Sequence, residues 1–182
     1  MKRLIKNISI ITPYDIVHDY SVLIDREKID KVDKEENIGK EEIDEIIDGK
    51  GQFLAPGFID IHNHGNTGHD IMDSTEEALD EMAKFHLKNG VTSFLGTIIT
   101  SSNENIVNAI ENMVDYPNKE DGSELLGIHL EGPFFSQEKK GAQPSEYIGR
   151  PNLEDIQNLV KLSKGKMKMV SLAPEIEGAL EI

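Results

Sequence analysis

Gly57-Phe58-Ile59-Asp60-Ile61-His62-Asn63-His64 decides how the chain is read. Successive side chains of an extended strand point to opposite faces, so Phe58, Asp60, His62 and His64 are expected on one face and Ile59, Ile61 and Asn63 on the other. Two imidazoles then project side by side at the C-terminal end of an apolar run. Gly65-Asn66-Thr67-Gly68 follows as a turn, and this strand end is where parallel α/β folds keep their chemistry. The pair points to a metal; two histidines near a strand end also fit plain hydrogen bonding to backbone.

Outward from that stretch the sequence alternates strand and helix. Ser74-Thr75-Glu76-Glu77 has the composition of a helix start, Ala78, Leu79, Met82, Phe85 and His86 recur at helical spacing, and Asn89-Gly90 stops them. Val91 to Thr100 is rich in β-branched residues and reads as a second strand; Ser102-Asn103 caps a helix to about Tyr116, ended by Pro117-Asn118. Leu125 to Glu131 is a third strand stopped by Gly132-Pro133. A long loop to Pro151, a helix over about 152–164 and a fourth strand over Lys168 to Ala173 complete the pattern. Residues 1–52 read as a small β unit, part of a β-sandwich, with strands at Leu4 to Thr12, Ser21 to Ile24 and, weakly, Ile43 to Ile47. The acidic stretch Glu35 to Asp48 reads as a solvated hairpin or loop.

Four βα repeats with helix-sized spacers imply parallel strands with right-handed crossovers, meaning a doubly wound sheet or part of a (β/α)8 barrel. The polar inward face of the first strand favours the barrel. A whole barrel takes roughly 250 residues, so 53–182 is expected to supply the first half of one, about four βα units, after the small β unit 1–52.

Composition narrows the function. The 182 residues carry 34 acidic side chains against 19 Lys and Arg, a net charge of -15 that repels nucleic-acid backbones and anionic lipid surfaces. There is no cysteine, hence no thiolate ligand and no cysteine nucleophile; oxygen and nitrogen must supply any metal ligands. Met1-Lys2-Arg3-Leu4-Ile5-Lys6-Asn7 is too quickly interrupted for a signal peptide, and no stretch approaches the roughly 20 apolar residues of a membrane helix. A cytoplasmic home and no membrane partner are expected.

In the third strand Leu125, Gly127, His129 and Glu131 share one face by alternation. Glu131 then ends its strand facing as His62 and His64 do. Two imidazoles and a carboxylate suit zinc, iron(II), cobalt or manganese rather than calcium or copper(I). Alone, Glu131 also fits a salt-bridging or capping residue. His129 reads as a core hydrogen-bonding residue or a support to a ligand, and Asp60, below His62, as structural. His69 and Asp70 lie in the loop after the first strand, His86 and His18 read as bystanders, and Lys139 and Lys140 as a solvated pair.

Pro56-Gly57-Phe58-Ile59-Asp60-Ile61-His62-Asn63-His64-Gly65 resembles the first-strand signature of the amidohydrolase superfamily of metal-dependent hydrolases. Gly127-Ile128-His129-Leu130-Glu131-Gly132-Pro133-Phe134, the Lys140-Gly141-Ala142-Gln143-Pro144 loop and Leu172-Ala173-Pro174-Glu175 together resemble its N-acetylglucosamine-6-phosphate deacetylase family, from about residue 50 onward. The resemblance implies hydrolysis of the acetyl amide of an amino-sugar phosphate, giving acetate and glucosamine 6-phosphate, with one or two divalent ions, zinc, iron or similar. It implies Glu131 as the carboxylate ligand, His62 and His64 as the pair for a second ion, and Ala142 and Gln143 as the loop meeting the sugar. Two further histidine ligands, the proton-transferring aspartate and the phosphate-gripping arginine and histidine belong to later strands and loops that this sequence does not contain. The chain alone is therefore expected to be inactive, and to need a complementing chain or to form a homo-oligomer. Within the superfamily a cyclic-amide hydrolase or deaminase is the other possibility; outside it, a non-catalytic half-barrel module.

Overall fold

The computed structural model describes residues 1–38, 42–150 and 152–182, so the expected loop over Glu35 to Asp48 and the loop ending at Pro151 each run into residues outside those described. The chain divides into two compact units, Met1–Pro56 and Gly57–Ile182.

The first unit is a four-stranded sheet of β1 (Lys2–Ile11), β2 (Ile16–Asp25), β3 (Lys28–Lys34) and β4 (Glu45–Leu54), in the order β3-β2-β1-β4. β1 pairs antiparallel with β2 and parallel with β4. Plain alternation would put Leu4 and Ile8 on one face. Asn7 instead takes a left-handed φ of 55° at a register shift, and the two residues end in separate clusters, Leu4 with Leu23 and Ile38, Ile8 with Ile10 and Val22. Two of these elements differ from expectation. β3, Lys-Ile-Asp-Lys-Val-Asp-Lys, was hidden by its charge: as an edge strand it buries little, and Ile29 and Val32 are exposed. β4 extends well past Ile47 and takes in Phe53 and Leu54, which the sequence pattern joins to the strand bearing the histidines.

The second unit holds a parallel sheet of β5 (Phe58–Asn63), β8 (Val91–Ile98), β9 (Glu124–Glu131) and β10 (Met167–Ser171), in the order β10-β9-β8-β5. Between β5 and β8 lie a small hairpin, β6 (Gly65–Asn66) with β7 (His69–Asp70), and helix α1 (Glu76–Lys88). Thr67 and Gly68, both at positive φ, make the two-residue turn that matches strand twist. Helix α2 (Asn103–Asp115) follows β8 and α3 (Leu153–Leu162) follows β9. Each helix starts at the residue whose side chain caps it: Thr75 accepts from the Ala78 N–H, Ser102 from Asn105 and Asn152 from Glu154.

The core lies between the helices and one face of this sheet. Leu79, Met82 and Ala83 of α1 and Ile106, Ala109, Ile110 and Met113 of α2 pack with Phe94, Ile98, Leu125, Ile128 and Leu130, nearly all fully buried. Leu125 was expected on the opposite face, with His129. The register runs Phe94 to Leu125 and then Leu95 to Gly127, so β9 carries one extra residue, Leu126, and the bulge reverses the alternation below it. Thr97 and His129 are buried on the other face, the one that leads to the histidines. Among the described residues no helix is long and apolar enough to cross a membrane.

Candidate functional site

β5 and β9 end together, separated only by β8, and that juxtaposition assembles the site. His64 Nε2 lies 3.0 Å from Glu131 Oε2, and His62 Nε2 lies 3.8 Å from Glu131 Oε1. The two Nε2 atoms are 3.2 Å apart. One potential ligand atom from each of the three residues falls within 4.8 Å of the others. His62 is half exposed, His64 about one-third exposed and Glu131 more enclosed, so the cluster opens to solvent on the His62 side.

Backbone geometry sets these positions. Asp60 pairs with Phe94 and Asn63 with Gly96, so β5 advances three residues while β8 advances two. Asp60 Oδ1 accepts from the His62 N–H at 3.1 Å across this bulge, and Asp60 Oδ2 is 3.5 Å from Asn63 Nδ2. Asp60 therefore turns toward Asn63 and closes the bulge, instead of sitting below His62 on a shared face. The chain then leaves His64 through its carbonyl, which accepts from the Ile71 N–H at 2.7 Å, with Asp70 and Asp73 forming a reciprocal capping box at Ile71–Asp73. His69 and Asp70 are thus spent on local structure, His69 lying 3.8 Å from Asp73.

The tautomer of His64 follows from its partners. Its Nδ1 is 3.2 Å from the carbonyl oxygen of Thr97, which can only accept, so Nδ1 carries the hydrogen. In the neutral ring Nε2 then presents a lone pair to the Glu131 carboxylate and to His62. Such converging lone pairs repel unless a proton or a cation lies among them. A histidine that donates one nitrogen to backbone and aims the other at a carboxylate is prepared as a metal ligand, and the donor set of two imidazoles and one carboxylate suits a borderline divalent ion.

His129 is buried two residues below Glu131. It contacts Thr97 Oγ1 at 3.2 Å and Ser171 Oγ at 2.8 Å, and its ring stands edge to face with His62 at 5.0 Å between centroids. Burial, and then the neighbouring His62, push its pKa below the ordinary imidazole value. Sequence alternation anticipates His129 but not Thr97 or Ser171. A lone hydroxyl inside the apolar run Phe94-Leu95-Gly96-Thr97-Ile98 is the signal that was available.

The loop residues fall differently. Ala142 is exposed at the surface of its loop. Gln143 is buried and turns inward, its Oε1 accepting from the Thr100 N–H at 3.2 Å, while the Thr100 hydroxyl donates to the Glu131 carbonyl at 3.4 Å. Gln143 thus reaches the end of β9 through one intermediary. Lys140 donates to the Gln143 carbonyl at 2.8 Å and stitches the loop. His86, on α1, is buried against Phe94 and contacts Asn66 of the hairpin at 3.3 Å; burial pushes its pKa down against the opposing charge of Asp60. His18 is exposed in the first unit, 2.9 Å from Ser9 Oγ.

Known proteins are similar to this chain in sequence and in fold. The N-acetylglucosamine-6-phosphate deacetylase of Lysinibacillus sphaericus is 42% identical over 130 residues, covering 71% of this chain and 34% of that protein. The protein of the same name from Bacillus subtilis is 39% identical over 184 residues, covering 98% of this chain and 46% of its own length. The crystal structure of N-acetylglucosamine-6-phosphate deacetylase from Pasteurella multocida superposes with a TM-score of 0.84 at 29% identity, over 100% of this chain and 47% of that one. The chain thus spans less than half the length of each. The resemblance drawn from the strand and loop motifs is borne out by these relatives. Residues 53–180, which carry both histidines and Glu131, match the Amidohydrolase family, and this chain belongs to it.

Proposed function

We propose that the chain contributes the first metal-binding strand ends of an enzyme that deacetylates N-acetylglucosamine 6-phosphate, in the cytoplasm, to glucosamine 6-phosphate and acetate. Residues 1–56 form the small β unit that accompanies it, four residues longer than the sequence pattern suggests, and 57–182 supply the first half of a (β/α)8 barrel. The observation that carries this is the convergence of His62, His64 and Glu131 at the C-terminal ends of β5 and β9. The relatives' names supply the substrate.

Glu131, His62 and His64 are the residues that hold a divalent ion, zinc, iron or similar. Such an ion, when bound, polarises the amide carbonyl and lowers the pKa of a water toward neutrality. The chain's own side chains do the rest of what it can do. The Thr97 carbonyl fixes the His64 ring so that Nε2 faces the site. Gln143 and Thr100 hold the loop of Ala142 over the end of β9, where the sugar is received. Divided between two ions, these three residues leave each ion short of the three protein ligands such sites normally use, so the chain alone binds metal weakly.

The edge strands suit this reading. Among the described residues β5 and β10 each pair on one side only, and Phe58, Ile59 and Ile61 of β5 lie more than half exposed. A complementing chain or a second copy satisfies those edges.

The test is acetate release from N-acetylglucosamine 6-phosphate with zinc, manganese or iron(II). The chain alone is expected to show no turnover above its Glu131→Gln variant. Co-expressed with the remaining segment of the Bacillus subtilis relative it should turn over, and Glu131→Gln should lower that rate by about 100-fold or more. Opening of a cyclic amide without acetate release by the complemented pair would overturn the assignment.

A further inference from the structure

A polar line crosses all four strands of the sheet one level beneath the site. The Asn63 N–H of β5 donates to Thr97 Oγ1 of β8 at 3.0 Å, Thr97 Oγ1 meets His129 Nδ1 of β9 at 3.2 Å, and His129 Nε2 meets Ser171 Oγ, at the end of β10, at 2.8 Å. One direction satisfies every member. Thr97 accepts from the backbone of Asn63, so its own hydroxyl hydrogen, in a fully buried side chain, is free for His129 Nδ1. Nε2 then carries the imidazole hydrogen and donates it to Ser171.

The two histidines above are held unequally. His64 is tied to backbone through Nδ1. Among the described residues the His62 ring makes no hydrogen bond except to His64, and its second support is the edge-to-face stack on His129. The rings stand in a row, His129 to His62 at 5.0 Å and His62 to His64 at 5.1 Å, with interplanar angles of 77° and 74°. Thr97 serves both ends, its hydroxyl holding His129 and its carbonyl holding His64.

Resting on the metal reading above, we propose that His129 is a positioning residue: locked as the Nε2–H tautomer between Thr97 and Ser171, it walls the His62 ring and so sets the aim of the His62 and His64 pair. It ligates nothing itself. Its two nitrogens are already used, and a flipped ring would set carbon atoms against the Thr97 and Ser171 hydroxyls, leaving the buried Thr97 hydroxyl without its acceptor.

The test reads the imidazole nitrogen chemical shifts of the 182-residue chain together with zinc affinity by calorimetry. His129 is expected as Nε2–H. Thr97→Val, nearly isosteric, should mix its tautomers, shift the His62 and His64 nitrogens and weaken zinc binding about tenfold, and Thr97→Ser should restore all three. Should Thr97→Val fail to fold, Ser171→Ala removes the acceptor at the other nitrogen and is expected to mix the tautomers likewise. An unaltered chain with His129 as Nδ1–H, or a folded Thr97→Val chain whose His62 shifts and zinc affinity stay unchanged, overturns the proposal. An unaltered chain that binds no zinc sinks the metal reading instead, while the His129 and His62 shifts still decide the positioning role.

Discussion

β5 and β8 are neighbours in one sheet, are comparable in apolar content and fare in opposite ways. In β8 every residue from Phe94 to Ile98 is buried; in β5 none is, and Phe58, Ile59 and Ile61 stand more than half exposed. Composition does not make the difference. β8 has a strand on each side and α1 and α2 across one face, whereas among the described residues β5 has a strand on one side only. The site sits where the two meet: β5 and the residue after it present the half-exposed His62 and the partly exposed His64, and β8, through the hydroxyl and carbonyl of Thr97, holds the Asn63 backbone and the His64 ring. Functional residues on a sparsely packed strand depend on a densely packed neighbour for their geometry.

The largest way to break this contrast is to empty β8. Phe94 is fully buried and packs on His86 at 4.8 Å between ring centroids. Phe94→Ala should cost about 3–5 kcal/mol through lost transfer energy and the cavity left behind. Urea unfolding followed by signals from the second unit measures it, and a loss comparable to that of a β5 substitution would mean that the helices do not cover β8 as described.

Next in size is the latch between the helices that cover β8. Tyr116, at the end of α2, donates to Asp80 Oδ1 of α1 at 2.9 Å, and Lys119 donates to Asp80 Oδ2. Burial pushes the Asp80 carboxyl up, but the hydrogen bonds from Lys119 and Tyr116 and the charge of Lys119 outweigh it and hold its pKa below the ordinary 3.8. A depressed folded value stabilises the fold above pH 3.8 and loses that contribution as pH falls through the folded value. Asp80→Asn should cost about 1 kcal/mol at neutral pH, the solvent-screened Lys119 contributing the smaller part, and the cost should fade in acid. Melting temperatures at neutral and acid pH give both; an unchanged difference between them would remove the latch.

Much of this was legible in the sequence, and beyond the charged edge strand β3 and the extent of β4 the failures lie where one strand depends on another. The caps Thr75, Ser102 and Asn152 stand where local chemistry marks a helix start, since a hydroxyl or amide oxygen satisfies a backbone N–H that no other residue reaches. Glu131 and the two histidines are strand-terminal, where alternation needs only to hold for a residue or two. Alternation fails where a bulge intervenes, at Leu126 and between Asp60 and Asn63, because an extra residue in one strand is decided by its partner's register and leaves no local mark. Thr97 carries a faint local mark, a hydroxyl in an apolar run, but its importance comes from partners outside its own strand: Asn63 of β5, His64 just after β5 and His129 of β9.

The smallest expected effect sharpens the contrast from the β5 side. Ile59 and Ile61 are 62% and 55% exposed, so little transfer energy is at stake within one chain. Replacing both with lysine should change unfolding stability by no more than about 0.5 kcal/mol, the range of surface substitutions. Association should respond more, because an apolar strand with one unpaired edge recruits a partner and inserted charge is how natural edges prevent it. Light scattering over a range of concentrations is expected to show the unaltered chain above its 20.3 kDa monomer mass and the double lysine variant closer to it. An unaltered chain that stays a compact, soluble, cooperatively melting monomer would mean that β5 tolerates its exposure, and the proposed need of its edge for a second copy or a complementing chain would fall.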